Sequence, residues 1–170
     1  MSSSEWFDAA FRAHYARVVR TLGRLTGDRG QAEEIAADVF CKLALQPDGA
    51  SKEDLAAWLY RVAINAGLDA VRSNSLRKRR EERATAASSN TAEPEALERL
   101  LTEERRERVQ RVLAALKPRD AQMLLLRSSG MSYRELAETL GIQLGSVGSM
   151  LARAEQEFER RYRARYRGRL

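Results

Sequence analysis

The sequence has few of the side chains that most catalytic and metal sites require. Its 170 residues include one cysteine, Cys41, and one histidine, His14. A disulfide within the chain is therefore excluded, and no Cys/His cluster has the spacing of a metal site. A glycine-rich phosphate loop and a G-x-S-x-G nucleophile motif are also missing. These absences favour a non-enzymatic protein without a cofactor. The apolar neighbours of Cys41 predict a buried, inert thiol.

Long apolar segments are missing too. Charged residues at Asp8, Arg12 and Arg17 interrupt the amino-terminal stretch, so it does not resemble a signal peptide. No segment approaches the ~20 apolar residues that a membrane span needs. We therefore expect a cytoplasmic protein without membrane insertion.

The charge is positive and unevenly distributed. Thirty Lys and Arg against twenty-four Asp and Glu give a net charge of +6 and a pI near 9.9, which favours an acidic partner such as nucleic acid. Residues 1–76 hold nine basic and ten acidic groups, residues 77–92 five and two, and residues 93–170 sixteen and twelve. Both basic segments suit phosphate contacts, with a merely solvated surface as the alternative. Six arginines crowd the C-terminus: Arg160, Arg161, Arg163, Arg165, Arg167 and Arg169.

Apolar spacing of three and four residues predicts an all-α protein, because no strand-like alternation of useful length occurs. Helices are expected over about 5–25, after Asp28, and from about Leu55. Asp28 and Gln31 predict a capping box at the start of the second helix. Between Leu76 and Leu97 no large apolar residue occurs, which predicts a flexible, basic linker at 77–95. The linker would separate a small helical domain at 1–76 from another at 96–170.

The stretch "SYRELAETLGIQLGSVGSMLARAE" (132–155) predicts a helix-turn-helix. Ser132 and Glu135 form a capping box, and Gly141 permits a positive φ at the turn. The outward face of the second helix carries small polar groups and one basic residue, Arg153, so direct base reading should be modest. An αα-hairpin without a DNA role is the alternative.

A polar stripe is predicted on the third helix. Arg61, Asn65, Asp69 and Arg72 follow at spacings of four, four and three, which places them on one side. Asn can pair with a base edge, Arg with a base or phosphate, and Asp69 can orient either arginine. The alternative is a solvated face on which Asp69 simply pairs with Arg72.

Three segments together resemble one family. "GDRGQAEEIAADVFCKL", "DLAAWLYRVAINAGLDAVR" and "VLAALKPRDAQMLLLRSSGMSYRELAETLGIQLGSV" occur in the order typical of the extracytoplasmic-function group of bacterial RNA polymerase sigma factors. The resemblance covers about residues 5–160. It implies two small helical domains joined by a linker, the second containing the helix-turn-helix.

The resemblance also implies roles for individual residues. The second helix is similar to the one that docks on the largest polymerase subunit, and its candidate contacts or supports are Glu34, Asp38, Val39, Phe40 and Lys42. The third helix resembles the segment that recognises and opens the nearer promoter element, with the loop "GASKEDLAA" holding extruded bases. Its matching residues are Trp58, Arg61, Asn65, Asp69 and Arg72, although a tryptophan here is more often part of a core.

The second domain resembles the reader of the farther promoter element. Its candidate DNA contacts, together with Arg77 from the basic linker, are Arg134, Ser146, Ser149 and Arg153. The chain departs from the family pattern at Ala37, Ile64, Gly148 and Met150, where the family commonly has glutamine or basic residues. Gly148 and Met150 reduce the contacts expected from the recognition helix, Ile64 removes one possible phosphate contact, and Ala37 is not predicted as a polymerase contact.

The sequence therefore predicts a sigma factor that binds core RNA polymerase and promoter DNA and assists promoter melting. Members of the family are often inhibited by an anti-sigma factor, but no residue here identifies one. A free-standing helix-turn-helix regulator is one alternative, although no heptad seam for a dimer is evident. A helical protein-interaction module that does not bind DNA is the other.

Overall fold

A computed structural model describes residues 3–45, 55–84 and 94–166. Within these ranges the chain is entirely helical, so the all-α prediction is confirmed. The helices are α1 (Ser3–Thr26), α2 (Arg29–Leu45), α3 (Leu55–Ala84), α4 (Pro94–Ala115), α5 (Pro118–Ser128), α6 (Tyr133–Leu140) and α7 (Leu144–Tyr166). None of the described helices is both long and apolar enough to cross a membrane.

Helices α1, α2 and α3 pack around an apolar core, and α1 lies close to α3 at Gly67. A Cβ added to Gly67 would lie 2.7 Å from Cδ2 of Leu25 and 2.8 Å from Cδ2 of Leu22. Both leucines are fully buried. A side chain at position 67 would therefore force the helices apart.

The turn between α1 and α2 contains half of the predicted capping box. Gly27 has φ +72°, and the Asp28 carboxylate accepts a hydrogen bond from the Gln31 N–H at 3.1 Å. The Asp28 N–H, however, donates to Oγ1 of Thr26 at 3.3 Å, and the Gln31 side chain accepts from Asn74. The Asp28 side chain is thus the N-cap, while Gln31 links α2 to α3.

Helix α3 continues eight residues beyond the predicted end of the first domain. Residues 77–84, predicted to be part of a flexible linker, are helical. Arginine, lysine and glutamate are good helix formers, and Arg77 lies 3.7 Å from Glu81 one turn later. Lys78 also forms an ion pair with Glu107 of α4. For residues 77–84, the absence of large apolar side chains therefore did not indicate a linker. Residues 85–93 of the predicted linker lie outside the described ranges.

The helix-turn-helix has the predicted local geometry. The Ser132 hydroxyl accepts from the Glu135 N–H, and the Glu135 carboxylate accepts from the Ser132 N–H. Gly141 ends α6 in the left-handed region at φ 61°. Val147, Leu151 and Ala154 form the buried side of α7, and the ring of Phe158 packs against the core.

One apolar cluster spans both halves of the chain. It joins Leu22 and Leu59 of the first three helices to Leu126 and Leu136 of α5 and α6. Helices α1 and α3 both contact α5, and α3 also contacts α6. The two predicted domains are thus packed against each other across the described residues.

Cys41 does not have the predicted environment, because its side chain is exposed. It lies beside Phe40, which is buried, and one residue of helix corresponds to a rotation of about 100°. The apolar run around Cys41 therefore includes one position on the outer side of α2. The described residues contain no group of three or more metal-ligating side chains.

Candidate nucleic-acid interface

The predicted polar stripe on α3 is present as a continuous exposed strip. The four side chains of the stripe are exposed, while the opposite side of the helix is buried. The stripe consists of Arg61, Asn65, Asp69 and Arg72, and the buried positions are Ala63, Ile64, Leu68 and Val71. The geometry needed to present polar groups to a ligand is therefore in place.

Arg72 is held in position by two acceptors. Its Nη1 lies 2.7 Å from Oδ1 of Asp69, as expected for a pair three residues apart on a helix. Its Nη2 donates to the carbonyl oxygen of Ala114 at 2.9 Å. Ala114 lies in the last turn of α4, where carbonyl groups lack partners within the helix, so the arginine caps that helix.

Asn65 and Arg61 face a cleft between α3 and the helix-turn-helix half. Oδ1 of Asn65 accepts a hydrogen bond from Nε2 of Gln122 at 3.4 Å. The cleft has a volume of about 350 Å³, and Arg61 and Arg119 both line it. Gln122 and Arg119 were not predicted as site residues, because they follow Asn65 by more than fifty residues and lie in a helix whose sequence shows only an apolar side.

Trp58 is half-buried, and its ring packs against the core. The neighbouring Tyr60 is almost fully buried. Trp58 therefore packs mainly against the core, and only part of its surface is accessible to a ligand. Most of the loop predicted to hold extruded bases lies in 46–54, outside the described residues.

The predicted polymerase-binding set divides into two groups on α2. Glu34, Asp38 and Lys42 are exposed and lie four residues apart, on one side of the helix. Val39 and Phe40 are only 0% and 2% exposed, so of the two roles predicted for them, contact or support, their burial agrees with support. The ring of Phe40 packs among three aromatic rings of α1 at centroid distances of 5.2 to 6.4 Å, and both residues support the exposed stripe from beneath.

The outward face of the helix-turn-helix is mostly accessible. Arg134, Ser149 and Arg153 are exposed, and Ser146 is half-buried. The Ser149 hydroxyl donates to the Ser146 carbonyl oxygen at 3.1 Å, and Nε of Arg153 lies 3.4 Å from the Ser149 carbonyl oxygen. Ser149 and Arg153 thus bond back to the backbone of their own helix and, like Arg134, remain accessible to a ligand.

Tyr133 is a neighbouring residue that the sequence analysis overlooked. Its side chain is exposed, and the guanidinium carbon of Arg127 lies 5.5 Å from its ring centre. A Cβ on Gly148 would meet its Cε2 at 3.7 Å, which is ordinary contact. A larger residue therefore fits at position 148, and packing does not require the glycine there.

The basic C-terminal segment is partly neutralised. Glu157 pairs with Arg160 and Arg161 at 2.7 and 2.6 Å, and Glu159 pairs with Arg163. Arg161 also donates to the Ala115 carbonyl oxygen. The described part of this segment therefore presents less free positive charge than its sequence indicates, while Arg167 and Arg169 lie outside the described residues.

Ser132→Ala is expected to lower the free energy of unfolding by about 1 kcal/mol, because it removes the N-cap hydroxyl of α6. Chemical denaturation followed by circular dichroism measures the change. Ser128→Ala is the matched control, since Ser128 is exposed and its hydroxyl only bonds back to the Leu125 carbonyl oxygen. Equal losses from both substitutions would show that the cap contributes nothing specific.

Stability is expected to fall in acid. The pKa of Glu135 is lowered from 4.5 to about 2, chiefly by the hydrogen bond from the Ser132 N–H and next by Arg17. A carboxyl with a lowered pKa in the folded state stabilises it above the unfolded pKa, and this contribution is lost as pH falls from about 4.5 through 2. Because Glu135 is partly exposed, the loss should be about 1 kcal/mol at most.

Denaturation measured between pH 5 and pH 2.5 tests this expectation, with Glu135→Gln as the comparison. The variant should lose less stability over that interval than the wild type. Other carboxylates, including Glu157 with its pKa lowered to about 2 by Arg160 and Arg161, titrate in both proteins and cancel in the comparison. Identical pH profiles would contradict the assignment to Glu135.

The two halves of the chain each match a family model. The model of Sigma-70 region 2 matches residues 10–77, and that of Sigma-70, region 4 matches residues 106–158. The first match includes the α2 and α3 stripes, and the second includes the helix-turn-helix.

Three relatives that match nearly the whole chain are named as RNA polymerase sigma factors. ECF RNA polymerase sigma factor SigE of Mycolicibacterium smegmatis is 30% identical over 89% of this chain and 59% of its own length. The protein named "Probable ECF RNA polymerase sigma factor SigI" of Mycobacterium tuberculosis is 30% identical over 92% of this chain and 56% of its own. RNA polymerase sigma factor YlaC of Bacillus subtilis is 25% identical over 94% of both chains. The chain thus spans less than two thirds of the first two relatives but nearly all of YlaC. It belongs to the extracytoplasmic-function group of RNA polymerase sigma factors.

Proposed function

We propose that this protein is a non-enzymatic specificity subunit that binds core RNA polymerase, directs it to particular promoters and helps to open them. It would act in the cytoplasm, where bacterial transcription takes place. The observation that carries the proposal is the exposed stripe of Arg61, Asn65, Asp69 and Arg72 on α3, within a region that matches sigma-70 region 2.

The α3 stripe has the chemistry for separated strands. An asparagine amide pairs with base edges, and arginines bind bases or phosphates. Helix α2 carries a separate exposed stripe of Glu34, Asp38 and Lys42. Because the stripes lie on different helices, the protein can bind polymerase through α2 and DNA through α3.

The recognition helix α7 is proposed to contribute shape and backbone readout. Ser146 and Ser149 are short, Gly145 and Gly148 add no side chain, and Arg153 is the long cation on this face. Short side chains allow close approach to a sugar-phosphate backbone but reach few base edges. Much of the affinity for DNA would then come from the polymerase, with Arg77 and Arg134 adding phosphate contacts.

Gel filtration with purified bacterial core polymerase tests the proposal directly. The chain should co-elute with the polymerase and support transcription from a subset of promoters that core enzyme alone does not use. Failure to co-elute at micromolar concentrations would contradict the proposal. It would leave a free-standing DNA-binding regulator, or an interaction module without DNA binding, and a mobility-shift assay with promoter fragments would separate these two.

A further inference from the structure

We infer that a groove bordered by α1, α4, α5 and α7 is a binding site for an anionic amphiphile, a molecule with one alkyl chain and one carboxylate such as a fatty acid. The groove has a volume of about 760 Å³, which is within the range of small-molecule sites. It shares no residue with the α3 stripe, the α2 stripe or the outward face of the helix-turn-helix. The inference is therefore independent of the proposed function.

The floor of the groove is apolar. Leu113 of α4 and Leu125 of α5 are 6% and 3% exposed and form its deepest part. Leu124 and Phe158 are half-buried, and Val109 is exposed at 39%. These three side chains keep apolar surface in contact with water, and an alkyl chain lying on them would remove that surface from water.

A glycine on the α1 side makes the groove deep. Gly23 lies in the last turn of α1, and a Cβ added there would meet no neighbouring heavy atom within 4 Å. Its φ is not positive, so the backbone does not require a glycine. Glycine also lowers the stability of a helix relative to other residues. The space above Gly23 is therefore free for a ligand.

The rim of the groove is cationic. Arg20 and Arg24, one turn apart on α1, are exposed, and neither forms an ion pair with another described residue. Arg106 of α4 also lines the groove, where its Nη1 donates to the Gly27 carbonyl oxygen at 3.3 Å. One acidic residue, Glu155, lines the groove against these three cations. The rim therefore favours a ligand with a negatively charged head group.

The size of the groove favours a small molecule over a protein segment. Eleven residues line it, whereas each side of a stable protein–protein interface contributes about 20–30 residues. An apolar floor alone would suit a neutral lipid, and cations alone would suit a free anion. The combination matches a molecule that carries both an alkyl chain and a carboxylate.

Isothermal titration calorimetry of the full chain with dodecanoate, kept below its micelle concentration, tests the inference. We expect one molecule bound per chain. The affinity should rise from octanoate through decanoate to dodecanoate by about two- to four-fold per methylene, because four-fold corresponds to a fully buried methylene. Dodecyltrimethylammonium has the same chain and a cationic head group, and it should bind at least about ten-fold more weakly. Equal affinity for the two head groups would overturn the inference.

Gly23→Leu tests the location of the site, because the leucine side chain would fill the groove. Dodecanoate binding should weaken by at least about ten-fold, while thermal unfolding followed by circular dichroism should show a folded protein, since leucine is a better helix former than glycine. Gly145→Leu is the matched control: a Cβ at this exposed glycine of α7 also meets no neighbouring atom, and it lies outside the groove. Wild-type affinity in Gly23→Leu would overturn the assignment of the site.

Charge substitutions test the rim. The double substitution Arg20→Gln and Arg24→Gln should weaken dodecanoate binding by about ten-fold, and Glu155→Gln should strengthen it by about two-fold. The control carries Arg12→Gln and Arg80→Gln, two exposed positions outside the groove with the same change in total charge. Equal losses in the two double variants would show a general effect of charge and contradict a role for the rim.

Absence of dodecanoate binding up to millimolar concentrations would also overturn the inference. Concentration-dependent dimerisation that Gly23→Leu abolishes would then assign the groove to a second copy of the chain. Binding of an acidic amphipathic peptide that Gly23→Leu excludes would instead assign it to a protein partner. Co-elution with core polymerase is measured separately, so failure of the ligand site and failure of the proposed function are distinguishable.

Discussion

An Asn65→Ala protein is expected to bind core polymerase with wild-type affinity and to form open complexes with an equilibrium constant about ten-fold lower. Loss of a well-placed amide contact to a base costs about 1 to 3 kcal/mol, and 1.4 kcal/mol corresponds to a factor of ten. Asn65 is exposed, and its hydrogen bond to Gln122 is long at 3.4 Å. Its removal should therefore affect DNA contacts far more than folding.

Permanganate footprinting of unpaired thymines at a cognate promoter measures the open complex. Asn74→Ala is the control, since Asn74 is another exposed asparagine of α3 whose amide donates to Gln31. If Asn65→Ala and Asn74→Ala reduce opening equally, the stripe has no special role. Loss of polymerase binding by Asn65→Ala would show that the substitution disturbs the docking of the first three helices.

The second expected result concerns polymerase binding. The double substitution Glu34→Lys and Asp38→Lys should weaken core binding by about 100-fold. Two close charge contacts at an interface can each contribute more than 1.5 kcal/mol, and reversal adds repulsion. Both side chains are exposed on one side of α2, above the buried Val39 and Phe40, so the change should leave the core intact.

Fluorescence anisotropy of the labelled chain titrated with core polymerase provides the affinity. The control carries Asp8→Lys and Glu138→Lys, two exposed positions on α1 and α6 with the same change in total charge. A similar loss in the control would indicate a general effect of charge and remove the α2 stripe from the interface. Unchanged binding in both proteins would place the polymerase contact elsewhere on the chain.

Local patterns in the sequence were sufficient to predict much of the fold. The capping box at Ser132 and the left-handed Gly141 depend on residues within one turn, so the sequence determines them directly. The α3 stripe followed from helical spacing alone. The same reasoning correctly predicted that the Asp28 carboxylate caps the Gln31 N–H. It failed for the Gln31 side chain, because Asn74, forty-three residues away, donates to that side chain.

The remaining errors have a common cause, which is that burial and pairing depend on distant residues. Val39 and Phe40 were predicted from a family pattern as contacts or supports, and the burial of Phe40 that agrees with support comes from the rings of α1, which no local pattern reveals. Arg17 and Glu135 are separated by 118 residues and carry no local sign of a contact. The length of α3 was underestimated because a charged helix needs no apolar side when pairs such as Arg77 with Glu81 support it.

The crossing of α1 and α3 at Gly67 has a practical consequence for engineering. The glycine lies on the inner side of α3, whereas positions 61, 65, 69 and 72 lie on the outer side. A set of outward residues from another member of the group can therefore be transplanted without altering the helix crossing, provided that the glycine is kept. Promoter preference could then be changed by substituting these four surface residues while the packing of the helices stays the same. Libraries randomised at these four sites should retain a high proportion of folded members.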